Sequence, residues 1–146
     1  KDIYLSIAQV YWFPSMSSKL SINKPEIKNF LTVIIELMNR FDGYIEVSTH
    51  TDDLPIPSGL GHSTSAHLSS ARSATLFLYL INNGLNINKI KFKNLFWGKY
   101  KPYSFIDSEV IPTNEQIIKA NRGKNQKESN KKRSINRRID FHFFYD

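Results

Sequence analysis

Tyr44-Ile45-Glu46-Val47-Ser48-Thr49 runs without a break into His50-Thr51-Asp52-Asp53. The first six residues alternate Ile45 and Val47 with polar neighbours, the two-residue period of a strand with one buried face. His50–Thr64 holds two Pro and two Gly and reads as a loop. A helix is predicted to open at Thr64 or Ser65 and to run to about Asn83, where Gly84 supplies a left-handed stop. Its expected buried face is Leu68, Ala71, Ala74, Leu78 and Ile81 or Leu80. This strand–loop–helix unit puts Asp52 at the C-terminal end of a strand and Arg72 in the first two turns of the next helix. Open α/β sheets collect their ligands at that edge.

Working outward, Pro25 is placed as a first-turn residue, with Asn23 or Ser21 as candidate caps. Ile27, Phe30, Leu31, Ile34, Ile35 and Met38 then form the apolar stripe of an amphipathic helix, stopped by Asp42-Gly43. Ile3–Phe13, Lys89–Phe96 and Arg138–Tyr145 read as strands; the last has Ile139, Phe141, Phe143 and Tyr145 on one face. The expected order is β-α-β-α-β-(long loop)-β. The two strand–helix–strand units imply parallel neighbours, and the terminal strand is free to pair antiparallel. The fold class is α+β: a two-layer sandwich of a mixed four-stranded sheet with both helices on one face. One domain is expected over residues 1–146, with a long basic loop at about 103–131. Thr113–Ala120 has room for a turn or two of helix there, and Asn121–Asn130 reads as solvated.

The chain has 146 residues, a formal net charge of +7 and no cysteine. The missing thiols exclude a disulfide framework, zinc ribbons, thioredoxin-like motifs and cysteine nucleophiles. Phe30–Met38 and Ala74–Ile81, the longest apolar stretches, fall short of the ~20 residues of a membrane-spanning helix. Lys1–Val10 lacks the apolar run and cleavage site of a signal peptide, and the chain opens without Met. We therefore expect the folded part of a longer protein. Lys119–Arg138 holds nine Lys/Arg against one acid, Glu128, while the rest of the chain is close to neutral. The basic character is local.

Four stretches together resemble the OmpA/MotB C-terminal domain family. His50-Thr51-Asp52-Asp53 resembles its Gly-His-Thr-Asp-Asn signature. Leu68-Ser69-Ser70-Ala71-Arg72-Ser73-Ala74 resembles its Leu-Ser-x-x-Arg-Ala helix start. Trp97-Gly98-Lys99-Tyr100-Lys101-Pro102 resembles its Tyr-Gly-Glu-x-x-Pro turn, and Arg133-Ser134-Ile135-Asn136-Arg137-Arg138-Ile139-Asp140 its Arg-Ala-x-Asn-Arg-Arg-Val-Glu ending. They stand in order and span roughly Ile3 to Phe144. Departures are Thr49 and Lys132 for Gly, Ser65 for Asn, and Lys99 for Glu.

The resemblance implies non-covalent binding of peptidoglycan, with Asp52 and Arg72 gripping the diaminopimelate of a stem peptide. Thr51, Ser65 and Arg137 are implied as supporting contacts. The chemistry is self-consistent. Diaminopimelate presents a carboxylate and an ammonium on one carbon, which need one acceptor and one planar, bidentate donor that Lys cannot imitate. The implied partners are peptidoglycan and other envelope-complex subunits, as in a secretion system, stator or outer-membrane lipoprotein complex. The implied location is the periplasm, attached to the outer or inner membrane through a segment outside this chain. No cofactor, metal or catalytic residue is expected.

Competing readings are weaker. His50, Asp52, His62 and His67 lack the His-x-x-x-His helical spacing of a zinc site. Gly59-Leu60-Gly61-His62-Ser63-Thr64 lacks the Lys and the glycine spacing of a phosphate loop, and no Gly-x-Ser-x-Gly elbow is present. The basic run has no interleaved aromatics for stacking on single strands, so nucleic acid is not an expected partner. Two alternatives to the wall anchor stay open: a scaffold of the same fold that has lost its ligand, and a basic nucleic-acid-binding module.

Overall fold

The computed structural model describes residues 2–9, 12–59, 61–88, 91–105 and 110–145. Among them the order is β1 (Ile3–Ala8), α1 (Pro25–Arg40), β2 (Tyr44–His50), α2 (Ser65–Asn82), β3 (Lys91–Gly98), α3 (Asn114–Asn121), α4 (Gln126–Asn136) and β4 (Arg138–Phe144), with one 3-10 turn at Tyr103–Phe105. The four strands form one mixed sheet in the order β1-β4-β2-β3. β2 and β3 are parallel, and β4 lies antiparallel to both β1 and β2. The first crossover therefore returns to a parallel strand but leaves a gap, and the terminal strand fills it.

Register sorts the side chains. Leu5, Phe141, Val47 and Asn94 share one row, and Ile7, Ile139, Thr49 and Phe96 another. This is the face that α1 and α2 cover. α1 turns Ile27, Leu31, Ile34, Ile35 and Met38 inward, as its stripe predicts. Its N-cap is Lys24, which makes no side-chain cap bond, so neither Asn23 nor Ser21 serves. Ile45, Val47, Ile139, Phe141 and Phe143 meet this stripe, with Leu76 and Leu80 from α2. Each such side chain contributes about 1.5–3 kcal/mol by leaving water.

Three expectations need correction. The first strand stops at Ala8, not Phe13. Trp12 and Phe13 leave the sheet by donating their backbone N–H to the carbonyl of Gln9, and both rings drop into the core. Residues 10 and 11, and residues 89 and 90 at the start of the third strand, lie outside the described residues. The buried face of α2 is Leu68, Ser69, Arg72, Ser73, Leu76 and Leu80, whereas Ala74 and Leu78 are exposed. The reason is polar. Ser69 Oγ accepts the Gly98 N–H at 2.9 Å and Ser73 Oγ donates to the Leu95 carbonyl at 3.3 Å, so serines face β3 where apolar residues were expected.

The expected loop at 103–131 is largely helical. Thr113 and Gln116 form a capping box that starts α3, and the Asn125 side chain caps α4. Polar side chains lock the pair together. Asn136 Nδ2 donates to the Ala120 carbonyl at 3.1 Å and to Asn121 Oδ1 at 2.9 Å, and Asn136 Oδ1 accepts the Tyr103 N–H at 2.7 Å. No helix among the described residues is long and apolar enough to cross a membrane.

Candidate functional site

At the end of β2 the ladder shifts register between Thr49 and His50. The Thr51 N–H then reaches the Gly98 carbonyl at 2.9 Å and carries the pairing one residue past the strand. Gly98 has a φ of 58°, and a β-carbon there would lie 3.0 Å from both Ala66 N and Ser65 Oγ. The Trp97-Gly98 turn thus lets the first turn of α2 close on the strand end.

Asp52 is buried at this exit. Its Oδ1 accepts the Leu54 N–H at 2.9 Å, and its Oδ2 accepts Nη1 of Arg137 at 2.5 Å. Arg137 caps the C-terminus of α4, and its side chain is 39% exposed. Arg72, in contrast, is 5% exposed. Its Nη1 donates to Gln9 Oε1 at 2.6 Å, its Nε to the Ser17 carbonyl at 2.7 Å and its Nη2 to the Pro14 carbonyl at 3.2 Å. The guanidinium also lies 5.0 Å from the Phe13 ring centre. Burial pulls its pKa down to about 10, with Asp52 opposing and Arg137 adding to the fall. It stays cationic at neutral pH.

Thr51, Asp52, Arg72 and Arg137 line one cleft of about 330 Å³, with Gln9, Phe13, Met16, Leu54, Ile56 and Leu68 among the other lining residues. Met16 sits at φ 57°, a left-handed conformation that disfavours a side chain with a β-carbon. Ser65 stands apart from the other four sequence-predicted residues: it is the first residue of α2 and its Oγ abuts Gly98. The helix cap is Thr64, whose side chain accepts the His67 N–H at 3.1 Å.

Two residues of this site escape a sequence reading. Gln9 is fully buried and braces Arg72 through Oε1, while its Nε2 donates to the carbonyls of His50 and, at 2.7 Å, Arg138. The signal is an amide directly after the mainly apolar Ile3–Ala8 strand. Asp53 accepts Arg133 Nε at 2.9 Å and lies 3.8 Å from Arg122 Nε, so it ties the α3–α4 pair to the cleft rim.

The neighbouring residues go the other way. Ser6, Asp140 and Ser48 share one row on the sheet face opposite α1 and α2. Asp140 accepts Ser6 Oγ at 2.6 Å and Arg138 Nε at 2.9 Å, with His50 Nε2 at 3.4 Å. Arg138 adds a bond to the Lys101 carbonyl at 3.2 Å and lies 5.4 Å from the Tyr103 ring centre. Burial first, then the charges of Arg138 and Lys101, hold the His50 pKa down at about 2, so the imidazole is neutral. Among the described residues no group of three His, Asp or Glu is arranged to hold a metal ion.

No protein-family model and no curated protein matches the sequence. Solved structures do match the fold. A putative MotB-like protein from Desulfovibrio vulgaris superposes with a TM-score of 0.68 at 17% identity, over 99% of this chain and 76% of that one. The periplasmic domain of Helicobacter pylori MotB gives 0.65 at 18% identity, over 98% and 82%. The cell wall anchor of the T6SS from Pseudomonas aeruginosa gives 0.64 at 19% identity, over 99% and 82%. Identities this low speak to architecture alone, and the resemblance carried by the four sequence motifs now has a shared fold beneath it: the mixed four-stranded sheet of this chain is that of the MotB and cell-wall-anchor domains.

Proposed function

We propose that the chain binds peptidoglycan without covalent chemistry, taking the diaminopimelate of a stem peptide into the cleft at the end of β2. The observation that carries this reading is the meeting, in one cleft, of a carboxylate (Asp52) and two guanidinium groups (Arg72 and Arg137) beside an apolar wall. In this reading Asp52 takes the ligand's ammonium. Arg137, the more exposed fork, takes its carboxylate, backed by the charge of Arg72. Leu54, Ile56, Phe13 and Met16 cover the methylene chain. Thr51 shapes the strand exit, and Ser65 supports it from the start of α2, packed against Gly98. The task is capture at equilibrium, so the chain is a binding domain and not an enzyme. Its place is the periplasm, where it pins a larger envelope complex to the wall, with membrane attachment through a segment outside this chain. Domains of the same fold in MotB and in the T6SS cell wall anchor support that setting.

Co-sedimentation with diaminopimelate-type sacculi tests the reading. At physiological ionic strength wild type should pellet, while Asp52→Ala and Arg137→Ala should stay largely in solution with unchanged circular dichroism. Wild type that stays soluble, or variants that pellet with it, would sink the proposal. A second reading draws on one specific observation. Asp52 already holds Arg137, and Arg72 already has three oxygen partners of its own chain. That favours a scaffold of the same fold whose cleft is closed by internal pairing, and it is the reading left standing if wild type does not pellet.

A further inference from the structure

The helix pair α3–α4 sorts the basic run into two classes. Arg133, Arg137 and Arg138 turn inward and meet Asp53, Asp52 and Asp140. Lys132 is half-buried, and its Nζ lies 3.2 and 3.4 Å from the carbonyls of Arg122 and Lys119, where a cation suits the negative end of α3. Glu128, the one acid of the run, accepts the Lys124 N–H through Oε2 at 3.1 Å and offsets only one of these charges. Lys119, Lys124, Lys127 and Lys131 remain. All four are exposed, and none makes an ion pair among the described residues.

Lys127 and Lys131 stand four residues apart on α4, a like-charge spacing that disfavours a helix. α4 buries only Ser129, Arg133 and Asn136, so no apolar stripe offsets that repulsion. This surface starts beside the cleft rim, while Lys127 and Lys131 stand on the face of α4 opposite Ser129, Arg133 and Asn136. Arg122, itself exposed, reaches Asp53, the residue after Asp52.

We propose that this cationic surface is a second, electrostatic contact for the polymer held in the cleft, taking free carboxylates of stem peptides next to the one bound at Asp52. The inference rests on the reading given under Proposed function. The residue types fit that partner. Lysines without fixed partners are mobile point charges suited to carboxylates on flexible stems, whereas one rigid anion calls for the arginine fork. The segment 113–137 contains no aromatic residue, so it offers no stacking platform for bases. Screening limits the attraction to about 8 Å at physiological ionic strength, so these lysines act on neighbouring stems that reach them and not on the one held at Asp52.

The test compares wild type, Lys124→Glu/Lys127→Glu/Lys131→Glu, the matching Gln variant and Asp52→Ala, each as the full 146-residue chain, on sacculi across a salt series. At low salt the Glu variant should bind about tenfold more weakly than wild type and should lose most of the salt dependence, with the Gln variant between them. Asp52→Ala should lose more affinity, and its residual binding should be salt-sensitive. If the Glu variant matches wild type in affinity and salt dependence, the second contact is wrong and the anchor reading survives. If it matches wild type on sacculi but alone fails to bind phosphatidylglycerol vesicles, the surface faces a membrane and the proposal is overturned. If wild type does not pellet, the anchor reading falls and this inference with it.

Discussion

Asp52 with Arg137 and Asp140 with Arg138 are the same chemical pair, set at the same end of the sheet, with opposite fates. Arg137 and Arg138 are adjacent in sequence. Arg137 ends α4 and leans over the strand exit into the cleft, while Arg138 opens β4 and points to the opposite face. There the Lys101–Tyr103 segment contacts it, leaving it 2% exposed. One pair borders a cavity and has room to exchange partners. The other also meets a cavity, which Arg138 lines with Ser6 and Tyr103, but both of its members are only 2% exposed. What separates a candidate binding site from a structural bracket is access, not residue type.

The largest effect should come from the sealed pair. Arg138→Ala leaves the Asp140 carboxylate buried without its cation and should cost about 3–5 kcal/mol in urea unfolding. Next, Arg72→Ala empties the bracket that holds Gln9, Pro14 and Ser17, and should cost about 2–3 kcal/mol by the same measurement. Arg72→Lys should recover little of it, since one ammonium cannot serve three divergent acceptors. His50 adds a pH signature. Its folded pKa lies near 2 against 6.5 in the unfolded chain, so the unfolded state binds the extra proton. Its stabilising contribution is present above pH 6.5 and is lost as pH falls towards 2. The unfolding free energy from urea titrations should drop by about 1 kcal/mol per pH unit between pH 6 and 4, and His50→Gln should flatten that slope. The smallest change in stability belongs to the open pair. Arg137→Ala should shift unfolding by about 1 kcal/mol or less, because its side chain is partly in water. The same substitution should remove most retention on sacculi. Should Arg137→Ala destabilise as much as Arg138→Ala, the contrast between the two pairs is lost.

Much of the architecture was legible because it rests on apolar periodicity. The stripe of α1 and the alternations of β2 and β4 read directly from spacing. α4 did not, because Gln126–Asn136 carries no apolar stripe and is held by an Asn cap and by inward-facing Ser129, Arg133 and Asn136. The inner face of α2 was misread for a related reason. Ser69, Arg72 and Ser73 look like surface residues, yet they serve backbone groups at the end of β3 and in the Pro14–Ser17 turn. The motifs name Asp52, Arg72, Thr51, Ser65 and Arg137, and the structure brings all but Ser65 to one cleft. Gln9 and Asp53 are defined by partners on distant elements, which spacing along the chain cannot reveal.

The order of the sheet also has a consequence in time. β4, the last of the four strands in chain order, lies between β1 and β2, and Ser6 finds Asp140 across 134 residues. Until β4 emerges, β1 has no partner in the sheet, β2 lacks one of its two neighbours, and Arg137 has not reached Asp52. A chain released early would expose unpaired strand edges to its neighbours. Assembly of the cleft is thus tied to the arrival of the fourth strand, and a chain without it cannot bring Arg137 to Asp52.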